Sequence, residues 1–481
     1  MKITLSEHST IQVFQTVEEL NNAFSYLNQK DFSLVKISER RKFFSKVFPY
    51  QIVHNTTQNC YDLQADYYIG LDWLVKEKKY IQVEPKINRK LLEIYKESLE
   101  KEEKEEEVDE NTDKVNQEAV ENAQKDSDNL LQVNYLKMLL DVYTSRISPT
   151  DIGKLVEIYW DDKPIEIQQK EDQLTPFLVV QFLGLLKIIV RKGLKKSYYK
   201  VQENLTNRVK GKILVGQNTK QNTFKNRLTS TFCEYQVFGE DSLENQFLKK
   251  VYQFCLSYVQ NNQGFFEGTK NEVDATINFI RPAFEKVSNS IRENQLKNFK
   301  HNPFFKEYKE AIRIGNFILK QFSYNISSTS GKEKLETPPF WIDMPCLFEL
   351  YVYQKLLEAN SIERTKIQYQ FKTYGNHLDI LVKDGINSIV IDAKYKLHYK
   401  KGHIHQDIRQ VSGYARLKKV RKDCGLNETD DTHIKCLIIY PVLENGLEDF
   451  SLENIRKQLD ENEIKAYHKV YKLGVSLPVI A

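Results

Sequence analysis

Two acidic residues, Asp379 and Asp392, lie in short hydrophobic segments, LDILV and SIVIDAK, that are typical of β-strands. The connection between these segments, KDGIN, is short and contains a glycine, which favours a β-hairpin. Because side chains alternate along a strand, Asp392 and Lys394 are expected on the same face of the second strand. The spacing therefore predicts two carboxylates and an ammonium group close together.

Neighbouring carboxylates raise each other's pKa unless a cation lies between them. Mg²⁺ prefers oxygen ligands, so Asp379, Asp392 and the backbone carbonyl of Ala393 are expected to supply part of its coordination shell. Lys394 is placed to orient or help deprotonate an attacking water and to offset charge in the transition state. The alternatives are an ordinary ion pair of Asp392 with Lys394 and a hairpin charge at Asp379.

Two predicted helices flank these strands. The segment PCLFELYVYQKLLEAN carries Glu349, either a metal ligand acting through water or a partner for a basic side chain. The segment IHQDIRQVSGYARL places Asp407, Gln410 and Tyr414 along one side of a helix. Gln410 would then bind the attacking water or a DNA phosphate, and the alternative for Gln410 and Tyr414 is packing on the helix surface. A buried strand, IKCLIIYPV, follows.

The order of these residues resembles the PD-(D/E)xK nuclease superfamily. Glu349 lies in a helix, Asp379 precedes the Asp392-Ala-Lys394 motif, and Gln410 lies in the next helix. The segment NHL before Asp379 departs from the superfamily, which usually has a proline there. By this resemblance, Asp379, Asp392 and Lys394 match the catalytic motif, and Glu349 and Gln410 match its flanking helical positions.

A more specific resemblance extends over most of the chain. The segments LFELYVYQKL, HLDILV, IDAKYK and QVSGYARL, together with YIGLDWL, IQVEPKI, VKGKI and CEYQVFGEDSLENQFLK, are similar to the McrC family, the nuclease subunits of McrBC-type 5-methylcytosine restriction systems. The resemblance implies a Mg²⁺-dependent nuclease that cleaves double-stranded, methylated DNA. It also implies an N-terminal region that docks on an McrB-like AAA+ GTPase ring and stimulates GTP hydrolysis, with base recognition left to that partner.

The 481-residue length is too great for one compact core, so a multidomain α+β protein is predicted. The expected parts are a β-rich, partner-docking N-terminal domain (1–95), an acidic insertion or linker (96–129), a mainly helical middle region (130–335) and a C-terminal α/β nuclease domain with a mixed sheet (336–481). In the middle region, apolar residues at helical spacing predict helices over 130–143, 174–189 and 244–261. The acidic stretch, which includes EKEEKEEE, is either a solvated helical arm or a disordered insertion. Disorder is favoured because the stretch lacks the regularly spaced apolar residues along which a helical arm would pack.

Several classes of protein are excluded by the sequence. No apolar run approaches the roughly 20 residues that cross a bilayer, and the polar N-terminus lacks a signal-peptide core. We therefore expect a cytoplasmic protein that does not associate with a membrane. The six cysteines show no paired spacing, and with the nearby histidines they match no zinc template. The segment GKILVG only superficially resembles a phosphate loop, so this chain is expected to bind no nucleotide itself.

A basic run, KIIVRKGLKKSYYK, is a candidate for contact with DNA. Its side chains Arg191, Lys192, Lys195 and Lys196 either follow DNA phosphates or solvate the end of a helix. Tyr414 is a further candidate DNA contact. The net charge of +4 is too small to identify a nucleic-acid binder, because the acidic segment masks positive charge elsewhere.

Three functions are compatible with these patterns. The leading one is a Mg²⁺ endonuclease activated by a GTPase partner. The first alternative is an inactive adaptor that only regulates that partner, and the intact Asp/Asp/Lys set argues against it. The second is a DNA-repair exonuclease that works without a GTPase, which is distinguished by degradation of DNA ends by the purified chain alone.

Overall fold

A computed structural model of the protein describes residues 2–7, 9–14, 42–44, 46–55, 60–75, 77, 79–90, 93, 130–143, 153–289, 306–326, 334–396, 403–427, 432–464 and 467–480. The predicted acidic insertion, residues 96–129, lies outside these ranges. Both interpretations of that segment therefore stay predictions.

Strands and helices alternate irregularly along the chain. The strands are β1 Lys2–Ser6, β2 Thr10–Phe14, β3 Tyr50–Asn55, β4 Cys60–Ala65, β5 Tyr68–Val75, β6 Lys79–Glu84, β7 Lys86–Asn88, β8 Leu130–Val133, β9 Val156–Ile158, β10 Ile165–Gln168, β11 Ser197–Thr206, β12 Lys212–Ile213, β13 Ser230–Gly239, β14 Lys334–Thr337, β15 Phe340–Asp343, β16 Ile367–Thr373, β17 Asn376–Val382, β18 Ile389–Ala393, β19 Lys435–Val442, β20 Val470–Ser476 and β21 Val479–Ile480. The helices are α1 Tyr135–Val142, α2 Leu174–Lys192, α3 Val215–Gln221, α4 Leu243–Asn261, α5 Lys270–Ile280, α6 Lys306–Ile326, α7 Met344–Ala359, α8 His403–Ala415, α9 Lys418–Asp423 and α10 Leu452–Leu459.

The chain divides into two compact units. The first comprises Met1–Phe177 and Ser328–Ala481, and the second comprises Leu178–Ser327. Mixed α and β structure in the first unit agrees with the predicted α+β class at that coarse level. The predicted division at residues 95, 129 and 335 stays a prediction.

The N-terminal sheet of the first unit has the strand order β1-β6-β5-β15-β9. Strand β1 runs parallel to β6, and the other neighbours are antiparallel. Strand β15 therefore lies between two strands that precede it by more than a hundred residues, and its Trp341 is fully buried. Gly70 allows this close pairing, because its φ is +146° and an added Cβ would lie 2.2 Å from the carbonyl oxygen of Phe340.

The C-terminal sheet has the order β16-β17-β18-β19-β20. Pairing is antiparallel from β16 to β18 and parallel from β18 to β20, which confirms the predicted mixed sheet. Helix α8 packs on β18 and β19, and helix α7 contacts β16 and β18. Helix α7 also contacts α1 and β5, so it lies against both the N-terminal and the C-terminal sheets.

The second unit contains α3 to α6, most of α2 and the antiparallel sheet β11-β13-β12. The predicted helices at 174–189 and 244–261 are confirmed, whereas the strands β11 and β13 are an addition to the predicted helical region. The prediction of one helix over 130–143 is wrong in its first turn, because β8 occupies Leu130–Val133. Several apolar side chains of the second unit are exposed, notably Phe224 and Leu228.

Helix α2 departs from the expectation about apolar length. It is 19 residues long, and among the described helices it alone is long and apolar enough to cross a membrane. However, most of its apolar stretch is buried inside the protein. Such burial is typical of a core helix, because a spanning helix presents its surface to lipid.

Candidate active site

Strands β17 and β18 bring the two predicted carboxylates together. Both strands are rich in Val, Ile and Leu, which suits a pleated and buried surface. Ile380 pairs with Ile391 in the antiparallel register, and one further residue along places Asp379 opposite Asp392. Directly opposite residues point to the same face of a sheet. The expectation from strand alternation therefore agrees with the register.

Asp379 is held by the strand that carries its partner. One of its oxygens, Oδ2, accepts a hydrogen bond of 2.9 Å from the backbone N–H of Ala393. Burial, in the first place, and the charge of Asp392 together raise the pKa of Asp379 to about 8, while Lys394 acts in the opposite direction. Without a bound cation, this carboxyl group therefore keeps its proton near neutral pH.

Asp392 is the more deeply buried of the pair, with 1% of its surface exposed. Its Oδ2 lies 2.9 Å from Nζ of Lys394, whereas its buried Oδ1 has no hydrogen-bond partner. Burial alone would lower the pKa of Lys394, but the charges of Asp392 and Asp379 raise it above its usual value. Lys394 is therefore a stable ammonium ion beside the carboxylates.

Glu349 approaches the pair from helix α7. The helix begins at Met344 because Asp343 caps it, accepting a hydrogen bond from the backbone N–H of Cys346, and Pro345 suits its first turn. The hydroxyl of Tyr369 donates to Oε2 of Glu349 at 3.4 Å.

The surroundings of Glu349 disfavour its ionised form. Burial raises the pKa of this side chain well above its usual value, and the negative charge of Asp379 adds to the effect. The ionisation of Glu349 therefore depends on the charge of the carboxylate pair.

Helix α8 supplies the fifth predicted residue. Nζ of Lys394 donates to Oε1 of Gln410 at 3.1 Å, and Nε2 of Gln410 donates to the hydroxyl of Tyr414 at 2.7 Å. The apolar side of the helix, including Ile408 and Val411, is buried against the C-terminal sheet. The amphipathic pattern that predicted this helix therefore also aims Gln410 at the lysine.

The predicted basic residues lie in the second unit, whereas the carboxylates belong to the first. There Lys192, Lys195 and Lys196 form ion pairs with Glu307, Glu244 and Glu240, and the guanidinium of Arg191 lies over the ring of Phe279. Glutamates thus already offset the lysine charges that were considered for DNA phosphates. Their contact with DNA stays a prediction.

The oxygen atoms at the carboxylate pair can be compared with the coordination shell that Mg²⁺ prefers. Within the described ranges, no group of three or more His, Cys, Asp or Glu side chains is arranged to hold a metal ion. Mg²⁺ usually binds one or two carboxylates and completes its shell with water, so Asp379, Asp392 and the Ala393 carbonyl are a sufficient set. The buried Oδ1 of Asp392, which has no hydrogen-bond partner, fits such a cation, because buried acceptors normally have partners.

Sequence reasoning missed two residues that follow the motif. Lys396 lies 2.6 Å from both carboxylate oxygens of Asp407 on α8, and Tyr395 is buried beside Glu7 of the N-terminal segment. The same alternation, continued for two residues past Lys394, is the signal that could have found Lys396. Nothing in the local pattern identified Glu7.

Fold and site together define a mixed α/β protein with a carboxylate pair, of which Asp392 is buried and Asp379 partly buried, and an adjacent lysine at the centre of a five-stranded sheet. Residues 63–426 match the family model described as a McrBC 5-methylcytosine restriction system component. The match covers well over half of the chain. The protein belongs to the McrBC family.

Two solved structures from Thermococcus gammatolerans are similar to this chain at low identity. A half-complex of McrB AAA+ hexamers with bound McrC gives 14% identity and a TM-score of 0.36, over 99% of this chain and 94% of that one. The McrBC complex gives 15% identity and a TM-score of 0.28, over 75% of this chain and 88% of that one. No curated protein matches the chain. Family membership therefore rests on the family model alone.

Proposed function

We propose that this chain is the nuclease subunit of an McrBC-like restriction system, a Mg²⁺-dependent endonuclease that cleaves phosphodiester bonds in DNA. The observation that carries the proposal is the pair of opposed carboxylates, Asp379 and Asp392, with Lys394 2.9 Å from Asp392. An apolar sheet interior favours neither carboxylate in its charged form. A site that keeps both, and leaves Oδ1 of Asp392 without a hydrogen bond, is suited to a divalent cation.

The residues have distinct parts in the proposed hydrolysis. Bound Mg²⁺ would supply Lewis acidity toward the phosphate and would favour ionisation of an attacking water. Asp379, Asp392 and the Ala393 carbonyl would hold that ion, and Glu349 would act through a water. Lys394 remains protonated, so it would offset negative charge on the phosphoryl oxygens in the transition state and would not accept a proton. Gln410 orients Lys394 and the water.

The reaction itself is an in-line displacement. The water oxygen forms a bond to phosphorus as one phosphate ester bond breaks. The water proton passes to solvent, and the leaving oxygen takes up a proton. Hydrolysis therefore needs no oxidant or co-substrate from this chain, and any nucleotide energy would act through the partner.

The proposed partner is an McrB-like AAA+ GTPase ring. The support is the family, whose description is a restriction system component, together with the sequence resemblance to McrC. In the Thermococcus gammatolerans structures, McrC is bound to McrB AAA+ hexamers. We propose that the present chain binds such a ring in the same way and stimulates its GTP hydrolysis. We also propose that the complex is cytoplasmic. Double-stranded, methylated DNA is the proposed substrate.

A plasmid-cleavage assay tests the proposal. The chain is combined with Mg²⁺, GTP and the product of the neighbouring gene, and the wild type is compared with Asp392→Ala. We expect Asp392→Ala to abolish cleavage because one of two carboxylate ligands is lost, while stimulation of the partner GTPase survives. EDTA should stop cleavage by the wild type.

Three outcomes separate the alternatives. Stimulation of the GTPase without any cleavage by the wild type would identify an inactive adaptor. Degradation of linear DNA by the chain alone, without partner or GTP, would identify an exonuclease. Unchanged cleavage by Asp392→Ala would place the chemistry elsewhere in the chain.

A further inference from the structure

The three residues that end and follow the catalytic motif are each held by a different part of the first unit. Lys394 faces Asp392, as described above. Lys396 forms two contacts of 2.6 Å with Asp407 on α8. Tyr395, between the two lysines, is directed away from them into the protein interior, where 3% of its surface remains exposed.

Tyr395 is enclosed mainly by residues from the N-terminal part of the chain. Its hydroxyl lies 3.5 Å from Oε1 of Glu7, which is 388 residues earlier in the sequence. Its ring packs edge-on against Tyr67 at 6.3 Å between centroids and is tilted against the ring of Phe348 at 5.6 Å. The end of the catalytic strand therefore inserts into the surroundings of the N-terminal sheet.

Glu7 is an unusual residue to find at this position. It is 3% exposed, its backbone N–H donates to the carbonyl of Lys86, and Oε2 has no hydrogen-bond partner. Burial raises its pKa to about 8, while the Tyr395 hydroxyl lowers it. Placing a carboxyl group in such an interior is unfavourable unless it is neutral or has a partner. Tyr395 is the side-chain partner that the geometry offers.

We propose that Glu7 is a positioning residue of the active site: by holding Tyr395, it fixes the end of β18 and thereby the adjacent Lys394. The inference rests on the proposed nuclease function. A catalytic group must be held within about 0.5 Å of its productive position, and supporting contacts achieve this. Asp407 holds one side of the segment through Lys396, and Glu7 holds the other through Tyr395. The residue that follows the first strand of the chain thus contributes to the nuclease site.

Four substitutions test this role in the assembled system with partner, GTP and DNA. Tyr395→Phe removes only the hydroxyl, Glu7→Leu removes the acceptor, and Glu7→Gln keeps a carbonyl acceptor in a neutral side chain. The matched control is Tyr135→Phe, because the buried Tyr135 hydroxyl donates to the carbonyl of Gln173 at 3.1 Å. Each variant is compared with the wild type for kcat and KM of DNA cleavage.

We expect Tyr395→Phe and Glu7→Leu to lower kcat by about ten- to a hundredfold with little change in KM, as is usual for residues that orient a catalytic group. Glu7→Gln should restore most of the rate lost in Glu7→Leu. Tyr135→Phe should retain the wild-type rate. Wild-type kcat in Tyr395→Phe, or a loss in Glu7→Gln as large as in Glu7→Leu, would overturn the proposal.

Hydrogen exchange measured by mass spectrometry gives a readout that does not depend on cleavage. A peptide covering residues 389–396 should exchange faster in Tyr395→Phe than in the wild type, and Tyr135→Phe should leave it unchanged. If the wild type fails to cut DNA, the proposed function fails while this measurement still tests the contact. If Glu7→Leu fails to fold, Tyr395→Phe and Glu7→Gln carry the comparison. Unchanged exchange in Tyr395→Phe contradicts the inference.

Discussion

At the scale of single residues, the candidate site contains more acidic groups than its one ammonium ion balances. Lys394 contacts Asp392, whereas the pKa of Asp379 is raised to about 8 and that of Glu349 is raised well above its usual value, in both cases first by burial. Without a metal ion, bound protons therefore neutralise the carboxyl groups of Asp379 and Glu349. Metal binding and proton release should be linked.

Asp379 provides a test of this linkage. Below about pH 8 its carboxyl is protonated without metal, and a divalent cation favours the ionised form, so binding should release up to about one proton near pH 7. The apparent affinity for Mg²⁺ should rise with pH and level off above about pH 8. Titration calorimetry in buffers of different ionisation enthalpy measures both quantities.

The matched variant for this measurement is Asp379→Asn, which keeps the shape of the side chain without a titrating group. It should bind Mg²⁺ more weakly, and the release of protons should largely disappear. An affinity of the wild type that is constant between about pH 6 and 8 would argue against Asp379 as a ligand.

Local pattern was sufficient for some residues of the site and insufficient for others. Asp379, Asp392 and Lys394 could be placed together because alternation along two adjacent strands depends only on near neighbours in sequence. The contact of Tyr395 with Glu7 joins residues 388 positions apart, and no periodicity encodes such a pairing. Glu7 therefore became visible only in the fold.

At the scale of elements, the same distinction separates the predicted from the unpredicted strands. Strands β17, β18 and β19 and helices α7 and α8 were predicted because each carries its own burial pattern. Strand β8 was predicted as part of a helix, since its apolar residues Leu130, Leu131 and Val133 also suit helical spacing. The segment forms a strand because it pairs with β7 and β21, which lie far from it in sequence or are separated from it by the acidic segment.

Strand β15 offers a prediction at this scale. It passes so close to β5 that a Cβ at Gly70 would lie 2.2 Å from a backbone oxygen, and the φ of +146° also disfavours any other residue. We expect Gly70→Ala to destabilise the first unit by more than about 3 kcal/mol, the upper range for a single backbone strain. Because β15 leads directly into α7, the position of Glu349 and the cleavage rate should also suffer.

The control for Gly70→Ala is Gly375→Ala. Gly375 also has a positive φ, +76°, but nothing lies within 4 Å of an added Cβ. This variant should lose only the conformational advantage of glycine, about 1 kcal/mol. Urea denaturation followed by circular dichroism compares the two, and equal losses would show that the approach to β15 is not the cause.

At the scale of the whole molecule, the two ends of the chain share one unit. The C-terminal strand β21 pairs with β8, and β15 pairs with β5 and β9. Helix α7, which carries Glu349, contacts β5 and α1 as well as the C-terminal sheet. An ion pair of 3.1 Å between Lys355 and Asp141 links α7 to α1. These pairings make the N-terminal residues structural partners of the candidate nuclease site.

The interleaved chain predicts how a fragment should behave. Residues 336–481 expressed alone would leave β15 and β21 without the strands that pair with them and would expose Trp341, which is fully buried in the whole chain. Unpaired strand edges and exposed apolar surface favour aggregation. We therefore expect this fragment to be insoluble or to lack cooperative thermal unfolding, whereas the full chain unfolds cooperatively. A soluble fragment that unfolds cooperatively and cuts DNA would show that the nuclease part needs neither the N-terminal sheet nor Glu7.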